Sequence, residues 1–563
     1  MYSDKESVNI LTALLVKHGV THAVVCPGSR NAPIVHNLNE CPDITCYPVT
    51  DERSAGFYAL GMSQALNKPV VVCVTSGTAL LNLAPAVAEA YYQHQPLIVI
   101  SADRPQQWID QLDGQTLPQP DALGRFVRKA VSLPEPHDSE ERWYCNRLVN
   151  EALIAAWHRK PVLINVPVSE PLFHFGTRNL PNERMICFDE PSNIFADIVE
   201  NGLAEDFCKA HKPMIVIGQY GMIDDELVRV IDKLKEHVVV LYEPLSHPRG
   251  GVPFDEVLQQ VGDDERYLPD FLLYCGNAIV SKRLKKFLRK GVDCVWEVTE
   301  DGEIHDTFMC VDAVIDGCAW TVLYNLSEIL THEPFLDDYK DTDFTLQDTT
   351  NYTKLWYDAM THQVETRHDI VPSYSQTAAV KCFEETLGTA ENKHVHYANS
   401  SAIRLANIFA RHRVWCNRGV NGIEGSLSTA AGFSVVTAEK VFCVIGDLSF
   451  FYDQNALWNQ NLRGNLRILL LNNGKGGIFN MLKGLEQSPA RDKFVAAAHH
   501  TTAEGICIQN NVTYLKAMNM EQMQQGIDTL LIIESHRPVL LEVFSDSQTD
   551  EQVFRDYYCS LRE

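Results

Sequence analysis

The chain has 563 residues, of which 45% are hydrophobic, so it is long enough for three or four domain-sized units that each bury a core. Acidic residues outnumber basic ones by 73 to 48, and the formal net charge of -25 argues against nucleic acid and anionic membrane surfaces as partners. The sequence shows neither a signal-like N-terminal segment nor an apolar run of about 18 residues, which predicts a cytoplasmic protein.

The 16 cysteines are scattered along the chain, and none forms a Cys-x-x-Cys pair. Several of them, such as Cys73, Cys275 and Cys443, lie within apolar strand-like runs, where they act as small buried hydrophobic side chains. This usage is typical of a reducing compartment and agrees with a cytoplasmic location.

Helical periodicity and short β-branched runs alternate in the first third of the chain. The elements predicted there are a helix near 5–18, a strand at 22–26, a helix from Asn31, a helix at 51–66, a strand at 70–74, a helix at 78–93, a strand at 97–100 and a last strand at 161–167. Such alternation is typical of a parallel sheet with right-handed crossovers. We therefore predict a doubly wound α/β domain over residues 1–185, which the last strand is expected to close.

The same alternation recurs in the rest of the chain. Further strands are predicted near 213–217, 237–241, 270–275 and 293–297. They indicate a second doubly wound domain over residues 186–340. The acidic, turn-rich passage at 335–343 is typical of a surface linker, which we place at residues 341–370. A third domain is predicted over residues 371–563, so the expected fold class is α/β with three doubly wound parallel-sheet domains.

Two polar clusters follow buried strands in the last third of the chain. The strand predicted at 440–445 leads to Asp447, and the strand predicted at 466–471 leads to Asn473. Ligands of open α/β sheets bind at the carboxyl ends of strands. The carboxylate of Asp447, the side-chain oxygen of Asn473 and the main-chain carbonyl of Lys475 are hard donors that suit Mg²⁺. These residues can also serve only as turns, but the composite pattern favours a ligand site.

Further polar motifs lie at the ends of strands in the N-terminal unit. The segment at 27–33, Pro-Gly-Ser-Arg-Asn-Ala-Pro, opens a helix where backbone N–H groups and Arg30 favour an anion, although a simple helix cap is equally compatible. Glu52 also lies at a helix start, where acidic side chains interact favourably with the helix dipole. Arg104 ends a strand, which places it beside the crevice where strand ends converge.

Basic residues cluster at other predicted strand ends. Lys282 and Arg283 begin a helix, whose dipole is already positive there, so the pair either faces an anion or belongs to a solvated basic surface. The residues alone favour the solvated surface. Arg404 shares a helix face with Ser400, and Arg418 follows the next strand. Two arginines at adjacent strand ends suit a carboxylate, because a guanidinium binds it in a bidentate fork.

Together these motifs resemble those of the thiamine diphosphate (ThDP) enzymes. The pattern from Gly446-Asp447 to Asn472-Asn473 resembles their diphosphate- and magnesium-binding motif, and nearly the whole chain is similar to the 2-succinyl-5-enolpyruvyl-6-hydroxy-3-cyclohexene-1-carboxylate synthase family of menaquinone biosynthesis. The resemblance implies the cofactors ThDP and Mg²⁺ and the substrates 2-oxoglutarate and isochorismate. It implies decarboxylation of 2-oxoglutarate and 1,4-addition of the succinyl carbanion equivalent to isochorismate. It also implies a homodimer or homotetramer with active sites at the subunit interface.

The resemblance assigns roles to individual residues. It implies that Glu52 is catalytic, through a hydrogen bond to the aminopyrimidine ring of ThDP, and that the metal ligands are Asp447, Asn473 and Lys475. The implied ThDP contacts are Glu52, Thr78, Ile423, Gly446, Asp447, Leu448, Ser449, Asn473, Ile478, Phe479 and Leu482. The implied contacts of the part derived from 2-oxoglutarate are Arg283, Asn399, Ser400, Arg404 and Arg418. The implied contacts of isochorismate are Ser29, Arg30, Arg104, Gln115 and Lys282.

Two alternative functions share some of these features. A simpler ThDP-dependent 2-oxoacid decarboxylase, or a ligase similar to acetohydroxyacid synthase, would need the same cofactor motifs. The excess of arginines disfavours it, since pyruvate offers a single carboxylate. A non-catalytic ThDP-binding scaffold is disfavoured by the presence of Glu52 together with the pair Asp447 and Asn473.

Overall fold

Three parallel sheets flanked by helices form the described part of the chain, so the predicted α/β fold class is confirmed. The structure is a computed structural model, and it describes residues 1–187, 202–221, 224–262, 264–330, 347–369, 371–388, 392–481 and 484–561. Within these residues no helix combines the length and apolarity needed to cross a membrane.

The N-terminal sheet contains six parallel strands. The strands are β1 His22–Val25, β2 Thr45–Pro48, β3 Val70–Val74, β4 Leu97–Asp103, β5 Lys129–Ser132 and β6 Val162–Pro167. The helices around it are α1 Glu6–Lys17, α2 Ala32–Glu40, α3 Glu52–Leu66, α4 Thr78–Asn82, α5 Ala84–Tyr92 and α6 Ser139–Trp157. The strand order is β2-β1-β3-β4-β6-β5.

The strand predicted to close this unit, β6, is the last of its strands in chain order, and it lies inside the sheet, where β5 forms the edge. The edge strands β2 and β5 are short and partly exposed, so they lack the apolar runs by which the inner strands were recognised. The helix predicted over 78–93 is two helices, because Pro85 at the start of α5 lacks the N–H that a continuous helix needs.

The central sheet contains five parallel strands. They are β7 Pro213–Ile217, β8 Val239–Tyr242, β9 Phe271–Cys275, β10 Cys294–Thr299 and β11 Ala313–Asp316. The helices are α7 Leu203–Lys209, α8 Asp225–Leu234, α9 Phe254–Val261, α10 Lys282–Leu288, α11 Ala319–Leu330 and α12 Thr350–Asp369. The strand order is β11-β10-β9-β7-β8, in which the edge strand β11 is one that the sequence did not reveal.

The segment predicted as a linker, residues 341–370, includes helix α12. Trp356 of this helix is fully buried against the central sheet, and its indole N–H donates to the carbonyl of Tyr267 at 3.1 Å. The linker prediction was therefore wrong for residues 350–369. Buried side chains recur every four residues, at Tyr352, Trp356 and Met360, but polar residues between them hide this stripe in the composition. The acidic passage at 335–343 lies outside the described residues, and the domain boundaries stay predictions.

The C-terminal sheet contains six parallel strands. They are β12 Lys393–Tyr397, β13 Val414–Trp415, β14 Lys440–Gly446, β15 Leu466–Asn472, β16 Thr513–Ala517 and β17 Val539–Phe544. The helices are α13 Gln376–Leu387, α14 Ser401–Phe409, α15 Ser426–Val435, α16 Asp447–Tyr452, α17 Glu504–Gln509, α18 Met520–Ile532 and α19 Ser547–Ser560. The strand order is β13-β12-β14-β15-β17-β16, so the two strands predicted to carry the metal motif are central neighbours.

Helices α3 and α15 pack closely and join the N-terminal sheet to the C-terminal sheet. A Cβ atom on Gly61 would lie 1.9 Å from the carbonyl oxygen of Thr429, and one on Gly432 would lie 2.2 Å from that of Tyr58. The hydroxyl of Tyr58 donates to the carbonyl of Ala456 at 2.6 Å across the same contact. The two backbones therefore approach to a distance that only glycine allows at these positions.

We expect the substitution Gly61→Ala to lower the free energy of unfolding by about 2 kcal/mol or more, because the added methyl group forces the two helices apart. Gly505 in α17 is the matched control, since a Cβ atom there meets nothing within 4 Å. Gly505→Ala should be neutral or slightly stabilising. Urea denaturation midpoints measure both effects, and equal midpoints for the two variants would contradict the close packing of α3 on α15.

Candidate active site

The predicted site residues follow strands at points where the strand order of a sheet reverses. In the N-terminal sheet the reversal lies between β1 and β3, and in the C-terminal sheet it lies between β12 and β14. Ser29 follows β1, Thr78 follows β3, Asn399 follows β12 and Asp447 follows β14. Ligands of open parallel sheets bind outside the carboxyl ends of strands at such points. The topology therefore supplies a binding crevice at each of these two sheets.

The carboxylate of Asp447 joins the ends of β14 and β15. Its Oδ2 accepts hydrogen bonds from the backbone N–H groups of Asn473 at 3.1 Å and Gly474 at 2.8 Å, and its Oδ1 accepts one from Leu448 at 2.7 Å. His499 Nε2 lies 3.4 Å from Oδ2, and this interaction raises the pKa of His499. The buried carboxylate thus fixes the turn that carries Asn473 and Lys475.

Asp550 orients the side chain of Asn473. The amide nitrogen of Asn473 donates to Oδ2 of Asp550 at 2.9 Å, and its side-chain oxygen, which accepts from the backbone N–H of Lys475 at 3.4 Å, keeps a further lone pair for a ligand. Asp550 also accepts from the backbone N–H of Gln376 at 2.8 Å and from the hydroxyl of Ser545 at 2.8 Å. Sequence reasoning missed Asp550, because it lies in α19, 77 residues after Asn473, and belongs to no local motif.

The donors on this turn fit Mg²⁺. The carboxylate of Asp447, the amide oxygen of Asn473 and the carbonyl of Lys475 are hard oxygen ligands, and Mg²⁺ completes its octahedron with water and phosphate oxygens. The ammonium group of Lys475 lies 3.5 Å from Asp492, which balances its charge. Among the described residues no cluster of three or more His, Cys, Asp or Glu could hold a metal. The predicted set needs no such cluster, since only one of its donors is of these types.

Apolar side chains lie beside the turn after β15 that carries Asn473 and Lys475. Gly446 borders open space, because a Cβ atom there would meet nothing within 4 Å. A Cβ atom on Gly476 would lie 2.8 Å from the ring of Phe479 and 3.4 Å from the side chain of Leu448. Leu448 and Phe479 therefore meet over the glycine-rich turn, where the resemblance places the cofactor.

The remaining residues implied in ThDP binding lie on separate elements. Ser449 is buried in α16, whereas Thr78 is exposed at the start of α4. Ile423 precedes α15 and is 42% exposed, so its side chain is available to a ligand. Ile478 lies in a 3₁₀ turn and lines a cavity described below. Leu482 lies outside the described residues.

Glu52 is the first residue of α3, but another side chain caps this helix. The carboxylate of Asp51 accepts from the backbone N–H of Ser54 at 3.2 Å and from the amide of Asn455 at 2.6 Å. Burial raises the pKa of the Cys26 thiol, and the charge of Glu52 adds to this shift, so Glu52 lies near the end of β1. The partly exposed carboxyl of Glu52 is therefore not needed as a cap.

Arg30 is buried beneath the loop that carries Ser29. Its guanidinium donates to the carbonyl of Val168 at 3.0 Å and to the carboxylate of Glu170 at 3.3 Å. Ser29 itself is exposed. Ser29, a predicted isochorismate contact, is thus accessible, and Arg30, another predicted contact, is held in place by the segment after β6.

Arg104, Gln115 and the turn before Thr78 meet at one place. Arg104 donates to the carboxylate of Asp113 at 3.0 Å, and a Cβ atom on Gly77 would lie 3.1 Å from Cα of Gln115. The loop is anchored by the buried Gln119, whose side-chain oxygen accepts from the N–H of Gly77 at 2.7 Å. Sequence reasoning missed Gln119, although its hydrogen bond to Gly77 holds the turn before Thr78 next to the loop that carries Gln115.

A cavity of about 340 Å³ between the central and C-terminal sheets brings together residues from both. Lys282 and Arg283 line it from α10, Arg404 lines it from α14, and Ile478 borders it from the 3₁₀ turn after β15. The family resemblance implied that Arg283 and Arg404 contact the same part of the substrate, whereas the residues alone gave no sign that they share a cavity.

The negative partner expected near Arg283 is present within the protein. Burial would lower the pKa of Arg283, but its ion pair with Asp255 outweighs this and raises the pKa. The guanidinium also lies over the ring of Tyr558 at 4.3 Å. Sequence reasoning missed Asp255 and Tyr558. The solvated basic surface that the residues alone favoured is thus wrong for Arg283, whereas Lys282 is exposed.

Arg404 and Arg418 place two positive charges close together. Burial, and next the positive charge of Arg418, lower the pKa of Arg404. Arg418 donates from Nη1 to Oδ1 of Asn399 at 3.2 Å, while its buried Nε has no partner among the described residues. Ser400 adopts a left-handed backbone with φ of 75°, which turns the chain between Asn399 and α14. An anion here would satisfy the unpaired N–H and reduce the repulsion between the arginines.

Comparison with known proteins identifies the family. The family described as "Thiamine pyrophosphate enzyme, N-terminal TPP binding domain" matches residues 6–123. The 2-succinyl-5-enolpyruvyl-6-hydroxy-3-cyclohexene-1-carboxylate synthase of Bacteroides thetaiotaomicron is 43% identical and covers 100% of both chains. The protein of the same name from Phocaeicola vulgatus is 42% identical, and the match covers 100% of this chain and 99% of that protein. The one from Porphyromonas gingivalis is 34% identical, and the match covers 99% of this chain and 97% of that protein. The chain belongs to this synthase family.

Membership of the synthase family confirms the ThDP-dependent enzyme class that the motifs predicted, with ThDP and Mg²⁺ as cofactors. The individual site residues stay predictions, and they fall into two groups in the structure. Ser29, Arg30, Glu52, Thr78, Arg104 and Gln115 belong to the N-terminal sheet. The other described site residues belong to the central and C-terminal sheets, and within the described chain no hydrogen bond joins a side chain of one group to a side chain of the other.

We expect Asp550→Asn to weaken Mg²⁺ binding in the presence of ThDP by about 10-fold to 100-fold, because loss of an outer hydrogen-bond partner leaves a metal ligand poorly oriented. Asp546→Asn is the matched control, since Asp546 caps the same helix but does not contact Asn473. Titration calorimetry with Mg²⁺ measures the affinity directly. Equal affinities for the two variants would show that Asp550 does not orient Asn473 for the metal.

Proposed function

We propose that the protein decarboxylates 2-oxoglutarate and adds the resulting succinyl carbanion equivalent to isochorismate by 1,4-addition. The products are 2-succinyl-5-enolpyruvyl-6-hydroxy-3-cyclohexene-1-carboxylate and CO₂, in the pathway to menaquinone. The full-length similarity to synthases of that name supports this activity. The observation that carries it is the arginine pair Arg404 and Arg418, in which a buried N–H lacks a partner among the described residues.

The cavity suits a substrate that keeps a carboxylate far from its reacting carbon. Arg283 and Arg404 line the same cavity, and Arg418 is close enough to Arg404 to lower its pKa. Guanidinium groups bind carboxylates through paired N–H donors. After loss of CO₂, the part derived from 2-oxoglutarate still carries one carboxylate, whereas the part derived from pyruvate carries none. Three carboxylates, Glu243, Asp255 and Glu256, also line the cavity, so its basic residues do not make it positive overall. The unpaired N–H of Arg418 and the nearby Arg404 therefore favour the longer 2-oxo acid.

The residues of the chain supply binding and proton handling around the cofactors. When bound, ThDP supplies the carbanion chemistry of decarboxylation and carbon–carbon bond formation. Asp447, Asn473 and the carbonyl of Lys475 would hold Mg²⁺, whose chemistry suits additional phosphate oxygens as ligands. Glu52, which does not cap its helix, would hold a proton for the aminopyrimidine ring. Ile423, which is partly exposed, would pack against the bound cofactor.

Isochorismate binding is assigned to loop residues of the N-terminal unit and to Lys282. Ser29, in the loop after β1, and Gln115, in the loop after β4, are exposed, and Arg104, which directly follows β4, is partly exposed. Arg30 contributes a positive charge in a fixed position, because its guanidinium donates to the carbonyl of Val168 and to the carboxylate of Glu170. The carboxylates of isochorismate would meet these donors.

The active enzyme is proposed to be a homodimer or homotetramer with its active sites between subunits. Support comes from the two groups of site residues, whose side chains make no mutual hydrogen bonds in the described chain. Val420, Ile423 and Tyr452 are apolar or aromatic side chains near the site that are between 42% and 50% exposed, as suits an interface. A second copy would bring Glu52 of one subunit to Asp447 of the other.

The activity is tested by incubating the protein with ThDP, Mg²⁺, 2-oxoglutarate and isochorismate and identifying the adduct by mass spectrometry. We expect the adduct to form, and Arg404→Met to lower kcat/KM for 2-oxoglutarate by about 100-fold, since a buried charged contact is lost. Arg537→Met is the matched control, because Arg537 donates only to backbone carbonyl groups away from the cavity. Faster release of CO₂ from pyruvate than from 2-oxoglutarate would favour the alternative decarboxylase.

The subunit arrangement is tested by combining two inactive variants, Glu52→Gln and Asp447→Ala, through co-expression with different affinity tags. If each site takes Glu52 from one subunit and Asp447 from the other, the mixed dimer contains one intact site and regains activity. If each site lies within one chain, the mixed dimer has no intact site and stays inactive. Size-exclusion chromatography of a fully active monomer would also contradict the proposed interface.

A further inference from the structure

We propose that Glu89 is a positioning residue for the reaction, which holds Arg418 in place for the carboxylate of the 2-oxo acid. Glu89 lies in α5 of the N-terminal unit and is 3% exposed. It acts through the loop that follows β13, so it needs no contact with the substrate. The inference rests on the proposed role of Arg418 in binding 2-oxoglutarate.

Both oxygens of the Glu89 carboxylate bind the backbone next to Arg418. Oε1 accepts from the N–H of Gly419 at 2.7 Å, and Oε2 accepts from the N–H of Val420 at 2.7 Å. Gln93, which directly follows the last residue of α5, also donates its amide to Oε1. Burial raises the pKa of Glu89, while these donors oppose the shift. The carboxylate therefore fixes two consecutive peptide groups of a loop that is 330 residues away in sequence.

The loop lies so close to α5 that residue 419 must be small. A Cβ atom on Gly419 would lie 2.7 Å from the carbonyl oxygen of Glu89 and 3.0 Å from Cβ of Tyr92. The loop backbone thus packs directly on the helix, and any displacement of the helix is transmitted to residue 418.

Further hydrogen bonds connect this contact to the guanidinium of Arg418. The amide of Gln93 lies 3.5 Å from the side-chain oxygen of Asn417. The amide nitrogen of Asn399 donates to the carbonyl of Asn417 at 2.6 Å, and its oxygen accepts from Nη1 of Arg418 at 3.2 Å. The loop backbone, Asn399 and the guanidinium therefore form one connected unit, which Glu89 ties to the N-terminal sheet.

A carboxylate is needed at this position because two N–H donors point at it. A carboxylate accepts at both oxygens, whereas a glutamine of the same shape presents an NH₂ group to one of the two donors. The substitution Glu89→Gln would therefore leave one buried backbone N–H facing another donor. The loop would have to move to relieve this contact, and Arg418 would move with it.

The experiment compares the steady-state kinetics of wild type and Glu89→Gln in the complete enzyme with ThDP and Mg²⁺. We expect KM for 2-oxoglutarate to rise on the order of 10-fold, the effect of one unsatisfied buried donor, while KM for isochorismate and the affinity for ThDP stay within about 2-fold. In an Arg418→Ala background, Glu89→Gln should add little, since residues that act through one another are not additive.

Glu384→Gln is the matched control. Glu384 is a buried carboxylate of the C-terminal unit that accepts from Nε2 of His412 at 2.8 Å and from Tyr397, and neither partner belongs to the Arg418 loop. A purely structural role for Glu89 predicts that both variants lose stability and that neither changes KM for 2-oxoglutarate selectively. If Glu89→Gln does not fold, Gly419→Ala disturbs the same contact from the loop side and should produce the same selective change.

The outcomes separate this inference from the proposed function. If Arg418→Ala leaves KM for 2-oxoglutarate unchanged, Arg418 does not bind this substrate, and both the proposed role of Arg418 and the role of Glu89 are wrong. If Arg418→Ala raises KM but neither Glu89→Gln nor Gly419→Ala does so, only the positioning role of Glu89 is overturned. Equal effects of Glu89→Gln in the wild-type and Arg418→Ala backgrounds would also overturn it.

Discussion

The buried carboxylate of Asp447 is the interaction on which the candidate site depends. It accepts three backbone N–H groups, one at the start of α16 and two in the turn after β15. These bonds bring the ends of two neighbouring strands to one carboxylate and set the spacing of the metal donors. A parallel sheet places such ends side by side, but only a shared acceptor fixes the geometry of the turns. Asn473 and Lys475 depend on this turn for their positions.

Buried carboxylates also connect the three sheets. Glu89 holds the Arg418 loop of the C-terminal unit against the N-terminal unit. Within the C-terminal unit, Asp453 accepts from the N–H and hydroxyl of Ser428 in α15, and burial raises the pKa of Asp453 to about 6. Asp301 of the central unit lies 3.1 Å from Lys160 and 3.2 Å from His94 of the N-terminal unit. Each carboxylate costs free energy to bury, and each is compensated by donors from another segment. The relative placement of the sheets is thus specified by polar contacts that tolerate little displacement.

The cavity between the central and C-terminal sheets holds arginines whose charges are balanced to different degrees. Arg283 has a partner in Asp255, so its position is fixed whether or not a ligand is bound. Burial and the positive charge of Arg418 lower the pKa of Arg404, and the charge of Asp255 offsets this only in part. A carboxylate ligand gains most where the protein leaves positive charge incompletely compensated. For this reason we propose the arginine pair, rather than Arg283, as the anion subsite.

The sequence by itself determined the strongly apolar inner strands, the hard-oxygen donors at the ends of β14 and β15, and the family, because these signals are local or lie in contiguous motifs. It did not reveal the edge strands β2, β5 and β11, whose short or exposed runs resemble loops. Asp550, Gln119, Asp255 and Glu89 were also invisible, since each acts on a residue distant along the chain or outside its motif. Tertiary structure alone decided these partners, because a buried hydrogen bond depends on distance in space and leaves no periodic pattern in sequence.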